Sequence, residues 1–360
     1  IREHSSWVHS REKERATAKA KDKVRMSVAR AVQLRPLEEI ELPVDKRGLV
    51  VGGGPAGMTA ALGLAESGFE VYLVEKEDGL GGTARRIQHT LEGLDVQGHL
   101  RELIERVYGN PLVHVLTDSR ITASSGYVGS FTTRVVRNGR RHRREEEIKH
   151  GITVIATGAA EHEPTEYLYG RDDRVVTLLD LEDRIHRREE AVIGASSLAM
   201  ILCVGCREEE RPHCSRVCCS QAIKCALQLK DLDPSKDITI VFRDMRTYGF
   251  KEDYYREAAD KGVRFIRYEP ESKPRVETVE EEGRSVLRVT VSDPVLGKEL
   301  ALDTEMVALA AAIVPASDTE AISRLFKVPL SRDGFLLEAH MKLRPCLLYT
   351  SDAADDRYKV

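Results

Sequence analysis

Apolar residues recur along the chain with two different periods. Over 11–35, Ala16, Ala20, Val24, Val28 and Ala31 fall at helical spacing and Pro36 follows as a stop, which predicts an amphipathic helix. From 48 onward, short apolar runs alternate with helical patterns. Residues 48–51 read as a strand, 55–67 as an Ala-rich helix and 70–74 as a second strand, together a βαβ unit. A helix over 95–107 follows, then a meander from 113–116, 127–136 and 146–149, then an apolar strand at 152–156. Past a polar connection, 198–204 reads as a buried-type strand and 215–229 as a helix. Strand 238–242, helix 252–261 and strands 263–266, 285–291 and 305–313 complete the pattern. Strands alternating with helices predict an α/β chain of parallel sheets covered by helices on both faces. No internal repeat or low-complexity tract is visible.

Composition narrows the class. The 360 residues are 41% hydrophobic and 32% charged, enough for about two domains of roughly 150 residues and too apolar for a disordered chain. The longest uncharged runs, 48–65 and 191–206, fall short of the roughly 20 apolar residues of a membrane span. The N-terminus is charged from Arg2 onward, so no secretory signal is visible. A cytoplasmic protein without membrane contact is expected. Fifty-five basic against 59 acidic residues leave a net charge of −4; with no basic excess to neutralise phosphates, nucleic acid is not an expected partner.

Two constellations carry chemistry. In Gly52-x-Gly54-x-x-Gly57 the first glycine permits a tight turn, the second lets backbone approach a pyrophosphate, and the third lets helix pack on strand. Glu75 ends the following strand, where an acid can hold ribose hydroxyls. The alternative is a tight turn with helix-packing glycines. The second constellation is a crowd of thiols: six of seven cysteines lie between Cys203 and Cys225, the seventh being Cys346. Clustering in a long chain without a signal points to metal or redox chemistry rather than a disulfide framework. Cys203 ends a strand, and Cys214, Cys218 and Cys219 mark the start of a helix, with Cys214 near its N-cap. Four such thiolates could hold an iron–sulfur cluster beside the positive helix end. Cys203-x-x-Cys206 could equally be a dithiol redox pair, and Cys203, Cys206, Cys214 and Cys218 a zinc site. Buried cysteines acting as small hydrophobes are the remaining reading, which suits Cys225.

Longer motifs carry a resemblance. Cys214-Ser-Arg-Val-Cys218-Cys219-Ser-Gln-Ala-Ile-Lys224 and Arg246-Thr-Tyr-Gly-Phe-Lys-Glu-Asp-Tyr-Tyr255, with the runs 50–61, 92–97, 156–170 and 334–345, resemble the A-subunit family of heterodisulfide reductases, the FAD and iron–sulfur flavoproteins of methanogens and many anaerobic bacteria. The resemblance covers residues 1–345. It implies a thioredoxin-reductase-like, two-dinucleotide-binding flavoprotein, incomplete at the C-terminus. Gly81, Gly82, Thr157 and Gly158 would join Gly52, Gly54, Gly57 and Glu75 around FAD. Cys203, Cys214, Cys218 and Cys219 would ligate one 4Fe–4S cluster, in a turn that in this fold normally carries a second glycine loop for NAD. Cys206 stands where the family usually has Ser. Lys224 would lie near the flavin and stabilise its reduced, negative form, although by itself it reads as a solvated helix lysine. Ser5 stands where the family often has Cys, and a ferredoxin-like insertion is missing between 184 and 198.

The implied organisation is an N-terminal helical segment (1–47), a FAD-binding part (48–160), a connection (161–190), a second nucleotide-binding-like domain carrying the cysteines (191–329) and a return to the first (330–345). The tail 346–360 departs abruptly and looks like translated sequencing adapter. The implied function is electron transfer, relaying or bifurcating, within a complex of heterodisulfide-reductase-type subunits and a donor of hydrogenase, formate dehydrogenase or ferredoxin type. A pyridine-nucleotide disulfide oxidoreductase using Cys203 and Cys206 is the enzymatic alternative. A cofactor-free scaffold is the third possibility.

Overall fold

The computed structural model describes residues 1–36, 43–138, 143–281 and 283–338. Expectations about Cys346, the tail 346–360 and the end of the return segment fall outside them. Two compact units divide the chain, Ile1–Pro43 and Val44–Val360. In the first, the predicted helix is α1 (Lys13–Val32), an exposed element with no buried residue.

The second unit opens with β1 (Gly48–Val51), α2 (Pro55–Glu66), β2 (Val71–Val74), a 3-10 turn at Gly82–Arg86, α3 (Val96–Gly109) and β3 (Val113–Leu116). Asp95 starts α3 by accepting from Gly98 N at 2.8 Å, an N-cap bond. A meander of β4 (Ser119–Tyr127), β5 (Ser130–Asn138) and β6 (Arg143–His150) leads to β7 (Ile152–Ile155). The parallel sheet runs β3-β2-β1-β7, so 113–116, expected in the meander, is an edge strand of this sheet. The meander's first strand, 119–127, escaped the periodicity because its exposed face is Ser, Thr and Arg.

The chain then forms β8 (Ala159–Glu161), β9 (Val175–Thr177), α4 (Leu178–His186), α5 (Glu190–Ile193), β10 (Ser197–Val204), α6 (Cys218–Leu232), β11 (Asp237–Phe242), α7 (Lys251–Asp260) and β12 (Arg264–Arg267). An antiparallel sheet follows from β13 (Arg275–Glu281), β14 (Arg284–Asp293) and β15 (Lys298–Thr304), and then β16 (Met306–Ala311), β17 (Ile313–Pro315) and α8 (Thr319–Phe326). The second parallel sheet has the order β12-β11-β10-β16-β9.

β1 is buried at every position and β10 at all but its first, as central parallel strands must be. Helices α2 and α3 cover one face of the first sheet through Met58, Leu62, Leu100 and Leu103. Its other face meets the meander and α8 through Val135, Ile148 and Ile322. Helices α4, α6 and α7 cover one face of the second sheet, and β14 closes the other through Leu287, Val289 and Val291. The parallel α/β class is thus as the pattern predicts, with antiparallel sheets taking part in the second covering layer. Strands β13 and β15 were missed because charged residues take four and three of their seven positions and break up the apolar pattern.

Strand order reverses between β1 and β7, and again between β10 and β16. In open α/β sheets the crevice outside the C-terminal strand ends at such a switch point is where ligands bind. The glycine fingerprint lies at the first and the cysteines at the second. No described helix is long and apolar enough to cross a membrane.

Candidate functional site

Three residues, 52–54, connect β1 to α2. A Cβ on Gly57 would lie 1.8 Å from the Gly52 carbonyl oxygen, and one on Gly52 would lie 2.3 Å from that of Ala156. These two glycines are therefore demanded by packing. Gly54 differs: a Cβ there would meet nothing within 4 Å. Its missing side chain keeps open space at the N-terminus of α2, where free amides and the helix dipole favour phosphate. Gly81 N donates to Gly53 O at 2.8 Å, and the position of a Gly82 Cβ is 3.4 Å from Gly54 Cα. The second glycine pair is thereby brought against the fingerprint.

Glu75 Oε2 accepts from Gly53 N at 2.6 Å and Oε1 from Glu77 N at 2.8 Å. A cavity beside it is lined by Gly52, Glu75, Lys76, Thr157, Asp318 and Leu325, among others. Gly158 follows Thr157 with open space before it. A space kept by an absent side chain, amides at a helix start and a carboxylate at the end of β2 fit the nucleotide half of FAD.

Lys224 sits on α6 but is buried, which removes the solvated reading. Its Nζ is 2.7 Å from Glu182 Oε1 and donates to the His89 carbonyl at 2.8 Å. Gln88 N also donates to Glu182 Oε1, at 2.9 Å. Glu182 Oε2 and His89 Nδ1 are buried without a hydrogen-bond partner among the described residues. Sequence reading missed Glu182. The signal was there: with Leu178, Leu181 and Ile185 it falls on the buried stripe of α4, where a carboxylate needs a partner.

At the second switch point the helix begins later than predicted. α6 starts at Cys218, with Val217 as its N-cap and no side-chain cap. Cys214 is therefore in the preceding loop and not near the N-cap. Two features set this start: Arg216 takes a left-handed φ of 64°, and Ser215 Oγ turns to accept from Ile313 N at 2.9 Å, across the fold. Cys203 also has a left-handed φ of 64°, in the stretch where the β10–β16 register shifts.

Arg207 Nη1 lies 4.0 Å from Cys203 Sγ. A hydrogen bond from Cys206, with Arg207 adding to it, brings the Cys203 thiol down to about 6 against the opposing effect of burial. The same bond, with burial, drives Cys206 upward. Burial, and then the charge of Cys203, pushes Cys218 up to about 12. Burial also raises Cys219. Cys218 Sγ lies 3.8 Å from the Ala311 carbonyl and Cys219 Sγ 3.8 Å from that of Asp244. Cys203 thus ends β10, Cys218 and Cys219 reach the ends of β16 and β11, and Cys214 lies in the loop that Ser215 ties to Ile313. Among the described residues, no three His, Cys, Asp or Glu side chains close round a common point as ligands of an ion. The donor type suits a thiophilic iron centre. Cys225 is fully buried within α6's core face, and burial pushes it up to about 12.

The sequence profile described as pyridine nucleotide-disulphide oxidoreductase matches residues 46–323. The chain belongs to this family. It is accordingly an oxidoreductase, and family and fold together support FAD as its cofactor. Among its relatives, the A subunit of the H(2):CoB-CoM heterodisulfide,ferredoxin reductase of Methanothermobacter marburgensis is 32% identical, over 96% of this chain and 65% of that protein. One of the iron-sulfur A subunits of the CoB--CoM heterodisulfide reductase of Methanopyrus kandleri is also 32% identical, with the same coverage. The chain thus spans 65% of the length of these relatives. Both alignments run over more than 430 positions against 360 residues, so the relatives carry segments this chain lacks. Lactococcus lactis thioredoxin reductase in its FR conformation superimposes with a TM-score of 0.54 at 19% identity, covering 83% of this chain and 86% of that one, which establishes a thioredoxin-reductase-like fold.

Proposed function

We propose that the chain is the FAD- and 4Fe–4S-bearing electron-transfer part of a heterodisulfide-reductase-type complex, relaying or bifurcating electrons between a donor and partner iron–sulfur subunits. The observation that carries this reading is the placement of Cys203, Cys214, Cys218 and Cys219 at the second switch point, in an α/β unit whose other switch point holds the glycine fingerprint. The relatives' names, which specify reductase subunits and an iron–sulfur subunit, support it. Gly52, Gly54, Gly57, Gly81, Gly82, Thr157 and Gly158 would hold FAD, with Glu75 on its ribose. Bound FAD would supply two-electron chemistry coupled to single-electron exit. Lys224, fixed by Glu182 and the His89 carbonyl, would offer a cation to negative charge on the reduced cofactor. The uncapped start of α6 would stabilise a negatively charged centre held by the four thiolates. Partners would be sister subunits and a donor of hydrogenase, formate dehydrogenase or ferredoxin type.

Anaerobic reconstitution tests this reading. About four irons and four sulfides per chain are expected if one cubane forms. Cys218→Ser or Cys219→Ser should abolish them, and Cys206→Ser should keep them. Stoichiometric zinc without iron would overturn the assignment. The closeness of Cys203 and Cys206, where Cys206 N donates to Cys203 O at 3.5 Å, favours a second reading, a dithiol exchange pair. That reading requires two oxidisable thiols in iron-free protein, lost in Cys206→Ser.

A further inference from the structure

The turn that carries Cys203 has an unusual backbone. Cys203, Gly205 and Arg207 all take left-handed φ values, of 64°, 71° and 59°. Two of the three are not glycine, and such residues persist only where their surroundings over-determine them. Here the surroundings are two buried side chains, Arg243 just after β11 and Tyr268 just after β12, exposed by 4% and 1%. Tyr268 OH donates to the Leu202 carbonyl at 2.8 Å. Arg243 donates through Nε to that hydroxyl at 3.2 Å and through Nη1 to the Arg207 carbonyl at 2.7 Å. One buried guanidinium thus grips the turn on both sides of Cys203.

The same clamp aims a charge. Arg207 Nη1 lies 4.0 Å from Cys203 Sγ, while its Nη2 donates to Asp244 at 2.5 Å. Each arginine has a carboxylate partner, and in each pair the carboxylate stands further out. The Arg243 side chain is 4% exposed against 30% for Glu208, and Arg207 21% against 47% for Asp244. Both carboxylates are also shared, Glu208 with Lys273 and Asp244 with Arg246. Glu209 and Glu210, further along the loop, are exposed. Water and salt screen exposed charges far more than charges below the surface. The guanidinium beside the sulfur is therefore offset only in part.

We propose that Arg207 and Arg243 set the reduction potential of the centre that Cys203 helps to hold. Arg207 places positive charge against the sulfur, and Arg243 is a positioning residue that acts through Arg207 and the turn. The proposal rests on the iron–sulfur reading of the four thiols. One-electron reduction adds a negative charge to such a centre. Net charge and N–H groups directed at the sulfurs are among the factors that fix its potential. A cation at Cys203 favours the reduced state, so it raises the potential.

The test is a redox titration of the anaerobically reconstituted full chain, with dithionite as reductant and the paramagnetic resonance signal of the reduced centre as readout. Arg207→Met should make reduction about tenfold less favourable, a shift of about 59 mV to more negative potential for one electron. Arg207→Gln should shift the same way, and guards against loss of the centre in the apolar variant. Arg207→Lys, which keeps the charge, should recover at least half of the shift. Arg243→Met should move the potential in the same direction by a smaller factor. Arg207→Met/Arg243→Met should add little to Arg207→Met alone, as expected of coupled neighbours. Lys273→Met, which removes an exposed partner of Glu208, should leave the potential unchanged. Equal potentials in wild type and the Arg207 variants, or an equal shift in Lys273→Met, would overturn the proposal and leave the iron–sulfur reading standing. A wild-type chain that takes up no iron would overturn that reading and the proposal with it.

Discussion

Gly54 and Gly57 belong to one motif but answer to different forces. At Gly57 a methyl group would collide with backbone, so Gly57→Ala should destabilise the fold by about 2 kcal/mol or more, the order of other steric core insertions. At Gly54 an added side chain meets only open space. Gly54→Val should therefore keep near-wild-type unfolding while losing FAD, checked by urea titration alongside flavin released on denaturation. Full flavin occupancy in that variant would reduce the loop to a turn. Lys224 and Glu182 make a second residue-scale case. Both are buried and 2.7 Å apart, so Lys224→Met strands a carboxylate in the core. A loss of about 3–5 kcal/mol is expected, with most of it recovered in Lys224→Met/Glu182→Gln. Urea midpoints of wild type and the two variants measure this directly.

Among the elements, those with strong patterns were legible. β1, α2, β2 and β10 were read from apolar runs and glycines to within about a residue or two, because buried parallel strands leave no polar alternative. The β10–α6 junction was read less well. Sequence placed the helix start at 215, but the left-handed backbone at Arg216 and the tertiary bond of Ser215 to Ile313 override local preference. No local pattern encodes a partner 98 residues away. α8, which the apolar pattern did not reveal, ends in a cap that the sequence does not optimise. Lys327 ends it with a left-handed φ of 55°, a position that suits glycine. Lys327→Gly should raise stability by about 0.5–1 kcal/mol, given that the side chain is exposed, measured as a higher urea midpoint at unchanged slope.

At the scale of the molecule, stability couples to pH through its interior. His150 is fully buried, with Nδ1 2.9 Å from the Ile152 carbonyl and Nε2 2.8 Å from Thr133 Oγ1. The carbonyl only accepts, so Nδ1 carries the proton and Nε2 accepts from the hydroxyl. Burial holds His150 below its ordinary value of 6.5. The unfolded chain then binds more protons, so this contribution is complete above about 6.5 and is lost as pH falls below it. Urea midpoints should fall between pH 7.5 and 5.5, and the fall should be shallower in His150→Asn.

Within the second unit the plan was legible where each parallel sheet carried its own signature: a glycine fingerprint after β1 and a cysteine cluster after β10. Glu182 acquired meaning only once separate elements met, since it matches no local motif. The length of the β10–α6 connection bears on how such a chain can be re-engineered. Thirteen residues stand between Val204 and Cys218, against three between Val51 and Pro55, and Gly205 is the only glycine among them. Writing glycines into that loop would leave the helix start displaced from the strand end. Conversion to a nucleotide-binding turn calls for excision of about ten residues, so the two halves of this molecule are separated by an indel that no series of single substitutions can cross.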